Sequence, residues 1–124
     1  MKKYKILIVE DEPQLQQLLG DKMESKGWEI KMALDGEIGL KKIEESLPDL
    51  IILDLRMPKI DGFTMLEKLR EKYDKQTLPV MILTNYGEEG NVGRAMSLGA
   101  ETFLIKSNYS LDEIIEKING KLIK

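Results

Sequence analysis

Asp49-Leu50-Ile51-Ile52-Leu53-Asp54 is the stretch that decides the fold. Four successive apolar residues with no polar alternate belong to a strand covered on both faces, which is the condition of parallel sheets flanked by helices. Ile6-Leu7-Ile8-Val9, Val80-Met81-Ile82-Leu83 and Phe103-Leu104-Ile105 repeat the pattern, so these four strands are expected to be central or nearly so. Trp28, Ile30 and Met32 alternate with Glu29 and Lys31. That is the period of a strand with one buried face, and it predicts a sheet edge. Between the strands, Leu15, Leu18, Leu19 and Met23 form one helical stripe, and Leu111, Ile114, Ile115, Ile118 and Leu122 form another. Weaker helical stretches run over 36–46, with Leu40 and Ile43, and over 62–73, with Phe63, Leu66 and Leu69. A glycine-rich one surrounds Val92, Ala95 and Met96. The alternation is (βα)5 with no room for hairpins. Right-handed crossovers make the strands parallel, and helices on both faces give a doubly wound α/β fold. Most methionines fall on these stripes and read as core filling.

At 124 residues the chain is expected to be one domain spanning 1–124, with no effector domain beside it. A 42% hydrophobic content supports a core without metal or disulfide staples. Cysteine and histidine are both absent, which removes disulfides, thiolate chemistry, zinc sites and imidazole acid-base schemes. Any metal must be held by oxygen. With 22 acidic and 19 basic residues the net charge is -3, which gives no field to draw the protein onto nucleic acid or anionic lipid. The longest apolar runs fall far short of the roughly 18 residues of a membrane span. A cytoplasmic protein that contacts neither membrane nor nucleic acid is the expectation.

Function in doubly wound folds lies at the carboxyl ends of the strands. Those tips carry Glu10-Asp11-Glu12, Asp54, Thr84 and Lys106. Carboxylates from two strands converging on one edge repel unless a cation lies between them, and oxygen ligands that share the ion with a phosphoryl group describe Mg2+. Lys106 adds a mobile positive charge and Thr84 a hydroxyl donor, the groups that stabilise a transferring phosphoryl. The nucleophile is then a carboxylate. Taken singly these residues are ordinary: Glu12, just before Pro13, suits a helix dipole, and a lone Asp after a strand is often a turn former. The convergence of four strand tips carries the reading.

Ile6 to Pro13, Asp49 to Gly62, Leu83-Thr84, and Gly99-Ala100 with Lys106 resemble the receiver domain of two-component response regulators over the whole chain. The resemblance implies a flavodoxin-like strand order 2-1-3-4-5 and Asp54 as phosphoacceptor. It implies that Glu10, Asp11, Asp54 and the backbone carbonyl of Arg56 surround Mg2+, and that Thr84 and Lys106 bind the phosphoryl group. Thr84 and Phe103 would form the switch, the aromatic turning inward as the hydroxyl moves. Phe103 also fits ordinary core packing. Pro58 and Gly62 would shape the loop after Asp54. A chain without histidine needs a phosphoryl donor from elsewhere, so a histidine kinase or histidine phosphotransfer protein is implied. An output protein would read the face formed by the fourth helix, fifth strand and fifth helix, and a phosphorylation-dependent dimer is allowed. Such a protein is a signalling receiver rather than an enzyme, catalysing only its own phosphorylation and dephosphorylation.

Rival readings fit less well. A flavin mononucleotide binder shares the fold, but Glu10-Asp11-Glu12 would repel its phosphate. A haloacid-dehalogenase-type phosphatase places its Asp-x-Asp after the first strand, whereas here Asp54 follows the third. The alternative kept is a degenerate receiver that docks proteins without phosphorylation. Three departures from the family pattern stand out: Ser107 where a proline usually follows the lysine, Asn85 where a small residue usually follows the threonine, and Gly90 and Gly93 early in the fourth helix. Without proline the bond before Ser107 is expected to be trans.

Overall fold

In the computed structural model, which describes residues 3–122, strands β1 (Lys5–Val9), β2 (Glu29–Ala33), β3 (Leu50–Leu53), β4 (Val80–Thr84) and β5 (Thr102–Ile105) form one sheet. Helices α1 (Pro13–Glu24), α2 (Gly36–Glu45), α3 (Gly62–Lys72), α4 (Glu89–Ser97) and α5 (Leu111–Leu122) alternate with them. All pairings are parallel and the strand order is β2-β1-β3-β4-β5. The expected span 1–124 includes Met1, Lys2, Ile123 and Lys124, which lie outside the described residues.

The unbroken apolar runs divide by period two between two cores. Leu7, Val9, Ile51, Leu53, Val80 and Ile82 pack with Met65, Leu66 and Ala95 of α3 and α4 on one face. Ile6, Ile8, Leu50, Ile52, Met81 and Leu83 pack with Leu19, Met23, Ile114, Ile115 and Ile118 of α1 and α5 on the other. β2 is an edge, as its alternation predicts. β5, read from its apolar run as nearly central, is the opposite edge, and of its four residues only Leu104 is fully buried. A three-residue run is too short to separate these cases.

The stripe on α1 is also rotated from its sequence reading. Leu18 is exposed at 57%, while Gln16 and Gly20 are buried beside Leu19 and Met23. Gln16 can be buried because its amide donates to the carbonyls of Ala33 at 2.9 Å and Glu10 at 3.3 Å. Asp35 and Asp61 cap α2 and α3 by accepting from the Ile38 and Thr64 N–H groups. α4, the shortest of the five helices, starts only after the link 85–88 and has no side-chain N-cap. No peptide bond among the described residues is cis, so the Lys106–Ser107 bond is trans as expected, and it opens a 3-10 turn (Lys106–Asn108).

Candidate functional site

The sheet register assembles the site. Val9 lies opposite Leu53 in the β1–β3 pairing, so the next residues, Glu10 and Asp54, emerge side by side where the strand order reverses. The Asp54 N–H donates to the Val9 carbonyl at 3.0 Å, extending the ladder to the carboxylate itself. Thr84 lies opposite Ile105 in the β4–β5 pairing, which delivers Lys106 one residue further on. Carboxylate oxygens of Glu10, Asp11 and Asp54 all lie within 4.8 Å of one another. Glu10 and Asp54 are buried, and Asp11 is exposed at the mouth.

Lys106 is the counter-charge to this cluster. Its Nζ lies 2.6 Å from Glu10 Oε1, 3.1 Å from Asp54 Oδ2 and 3.4 Å from Glu12 Oε1. Burial opposes the ammonium, but its hydrogen bond to Glu10 and the charges of Asp54 and Glu10 outweigh that cost and raise its pKa above the ordinary lysine value. Glu10 goes the other way for a carboxyl group. Burial pushes it up to about 7, the hydrogen bond from Lys106 opposes this, and repulsion from Asp54 adds to it. The backbone N–H of Glu12 also donates to Glu10 Oε2 at 3.0 Å. A buried carboxylate held against its own solvation and against a second carboxylate is short of positive charge. An all-oxygen donor set of this kind fits a hard divalent cation such as Mg2+.

An open cleft of about 390 Å³ leads to the cluster, lined by Asp11, Glu12, Asp54, Arg56, Met57, Asn85, Tyr86 and Lys106. The Arg56 N–H approaches Asp54 Oδ1 at 3.4 Å, and the Arg56 guanidinium stacks over the Tyr86 ring at 4.4 Å across the cleft wall. Gly62 lies tight behind Asp54: a Cβ there would collide with the Asp54 carbonyl and come within 2.7 Å of the Leu55 Cα. Close approach, with no left-handed backbone, is the reason for glycine here.

Two predicted residues are placed apart from the cluster. Thr84 is completely buried, its Oγ1 accepts the Tyr86 N–H at 3.2 Å, and no hydrogen bond joins it to Asp54 or Lys106 among the described residues. Phe103 is half-buried against the α3–α4 core. Glu12, read from sequence as a complement to the helix dipole, sits at the N-cap of α1 without a capping hydrogen bond and faces Lys106 instead. Two wall residues, Tyr86 and Met57, carried no site signal on their own, and neither did Gln16, whose buried amide donates to the Glu10 carbonyl. A tyrosine or methionine in a link has no period to betray its partner, and Gln16 was hidden by its neighbours on the α1 stripe.

Residues 6–119 match the family described as response regulator receiver domain. The chain is 39% identical over 118 residues to the alkaline phosphatase synthesis transcriptional regulatory protein PhoP of Bacillus subtilis, covering 95% of this chain and 48% of that protein. It is 34% identical over 118 residues to the phosphate regulon transcriptional regulatory protein PhoB of Rhizobium meliloti, covering 95% of this chain and 52% of that protein. The chain thus spans about half the length of these curated relatives. Among solved structures, a two-component response regulator from Clostridium difficile superposes with a TM-score of 0.89 at 29% identity, over 97% of this chain and 96% of that one. The receiver domain of the Francisella response regulator 1452 gives 0.86 at 29% identity, over 97% of each chain. With acids gathered at the strand-order reversal, a lysine among them and a family match over nearly the whole sequence, the chain belongs to the response regulator receiver domains, the modules of phosphorelay signalling.

Proposed function

We propose that this domain accepts a phosphoryl group on Asp54 and thereby switches the face formed by α4, β5 and α5. The observation that carries the reading is the Glu10–Asp54–Lys106 constellation: a buried carboxylate, open to a cleft, between a second carboxylate and an ammonium at 3.1 Å. An oxygen of Asp54 attacks phosphorus as the bond from phosphorus to the donor's imidazole nitrogen breaks, and the imidazole leaves with a proton from solvent. The chain has no histidine, so the phosphohistidine lies outside these residues, on a histidine kinase or histidine phosphotransfer protein. Glu10, Asp11, Asp54 and the Arg56 carbonyl are the residues that would hold Mg2+. When bound, that ion neutralises the charge opposing attack of an anion on an anion.

This chain's own groups do the rest. Lys106 already lies beside the Asp54 oxygen and follows the charge onto the phosphoryl group. The Thr84 hydroxyl, now accepting from Tyr86, turns to donate to it. The transfer adds about 1.5 to 2 negative charges, and the move of Thr84 leaves space for Phe103 to turn inward. The domain contacts protein partners rather than nucleic acid, since its net charge of -3 offers no footprint for a polyanion.

Incubation with a small phosphodonor and Mg2+, followed by intact mass measurement, is expected to show one added phosphoryl group on the wild type and none on Asp54→Asn. Equal labelling of both would overturn the assignment, and no labelling of the wild type by any donor would favour the docking module.

A further inference from the structure

Two departures from the family pattern meet in space. The backbone N–H of Ser107 donates to Asn85 Oδ1 at 3.0 Å, joining the link after β4 to the turn after β5. A proline at 107 would have no N–H to give. Because the partner is a donor, the carboxamide must turn its oxygen to Ser107, and this fixes which side of the group carries Nδ2. No acceptor among the described residues takes the Nδ2 protons. Asn85 lines the cleft that also exposes Asp54 and Lys106.

A carboxamide with its oxygen committed and both N–H bonds uncommitted, at the wall of a cleft closed by a nucleophilic carboxylate, is matched to a group that brings anionic oxygens. A phosphoryl group brings three acceptor oxygens. Lys106 and Thr84 address it from their own strand tips, and an uncharged donor adds to them without a further cation that would pair with Glu10, Asp11 or Glu12. We propose that Asn85 is a further phosphoryl-binding residue of this receiver, its Nδ2 donating to an oxygen of the group on Asp54 and its orientation held by the Ser107 N–H. Ser107 is then a positioning residue that acts through Asn85. The inference rests on the reading of Asp54 as phosphoacceptor.

Beryllofluoride with Mg2+ mimics a phosphoryl group on a carboxylate, and fluorine NMR titration reads its affinity independently of turnover. Loss of one hydrogen bond to a charged group at a solvent-accessible site is expected to weaken binding by roughly tenfold in Asn85→Ala. Ser107→Pro should weaken it in the Asn85 background and have no further effect in Asn85→Ala, while Ser107→Ala, which keeps the N–H, should bind as the wild type does. Both side chains are exposed, and thermal midpoints confirm that each variant is folded. Wild-type affinity in Asn85→Ala, or an equal loss from Ser107→Pro in both backgrounds, would overturn the proposal. Asp54→Asn separates the two readings: retained binding there refutes the phosphoacceptor, whereas loss there with no effect at Asn85 refutes only the role of Asn85.

Discussion

Glu10 is the residue whose environment is most at odds with its charge. Its folded-state pKa of about 7 lies above the ordinary carboxyl value, so between these limits the folded state holds more protons than the unfolded one. The Glu10 contribution to metal-free stability is therefore largest at low pH, falls as pH rises from about 4.5 to about 7, and is level beyond. Glu10→Gln should abolish that slope, leaving the variant the more stable protein above pH 7 in metal-free buffer, while Mg2+ affinity falls. Urea denaturation at several pH values, with and without Mg2+, checks both signs. The acids, Thr84 and Lys106 were legible because each follows a recognisable strand. That Lys106 would also touch Glu12 was not, since that contact spans 94 residues and depends on the path of two loops.

At the scale of elements, α4 is the shortest helix and is expected to be the least stable. It lacks a side-chain cap, and Gly90 and Gly93 have open space where a Cβ would be, so neither glycine is required by packing or by backbone conformation. Each Gly→Ala change should stabilise the protein by about 0.5 to 1 kcal/mol. Hydrogen exchange is expected to show the segment 85–93 far less protected than β3 in the wild type, with protection rising in the double variant. Equal protection of the two segments in the wild type would contradict this. The glycines behind this expectation were legible in the sequence. The edge position of β5 followed from the strand order that the family resemblance implied but not from its apolar run, and the exposure of Leu18 stayed hidden, because short apolar runs and neighbouring leucines do not state which face meets the sheet.

Across the whole molecule, Arg70 joins parts that sequence reading kept separate. From the end of α3 its guanidinium donates to the carbonyls of Tyr73, Asp74, Leu78 and Gly99, tying the entry to β4 and the turn after α4 to one side chain. A lone arginine on a helical stripe has no sequence signature for such a role. Arg70→Ala strands several partly buried carbonyls and should cost about 2 kcal/mol, read as a lower urea midpoint at unchanged slope. The same clamp fixes the carboxyl end of α4 while its amino end is glycine-rich, so displacement on phosphorylation should be largest near Tyr86 and Asn91. The Tyr86 N–H donates to the Thr84 hydroxyl that must turn, and Asn91 donates to the Tyr86 carbonyl.

The central claim is chemical and concerns one oxygen atom. After incubation with a small phosphodonor and Mg2+, borohydride reduces an aspartyl phosphate to homoserine, and peptide mass mapping locates the converted residue. Conversion at Asp54, and at no other carboxylate, is the predicted result. Homoserine at Asp11, hydroxynorvaline at Glu10 or Glu12, or a phosphorylated protein that yields no homoserine, would contradict it.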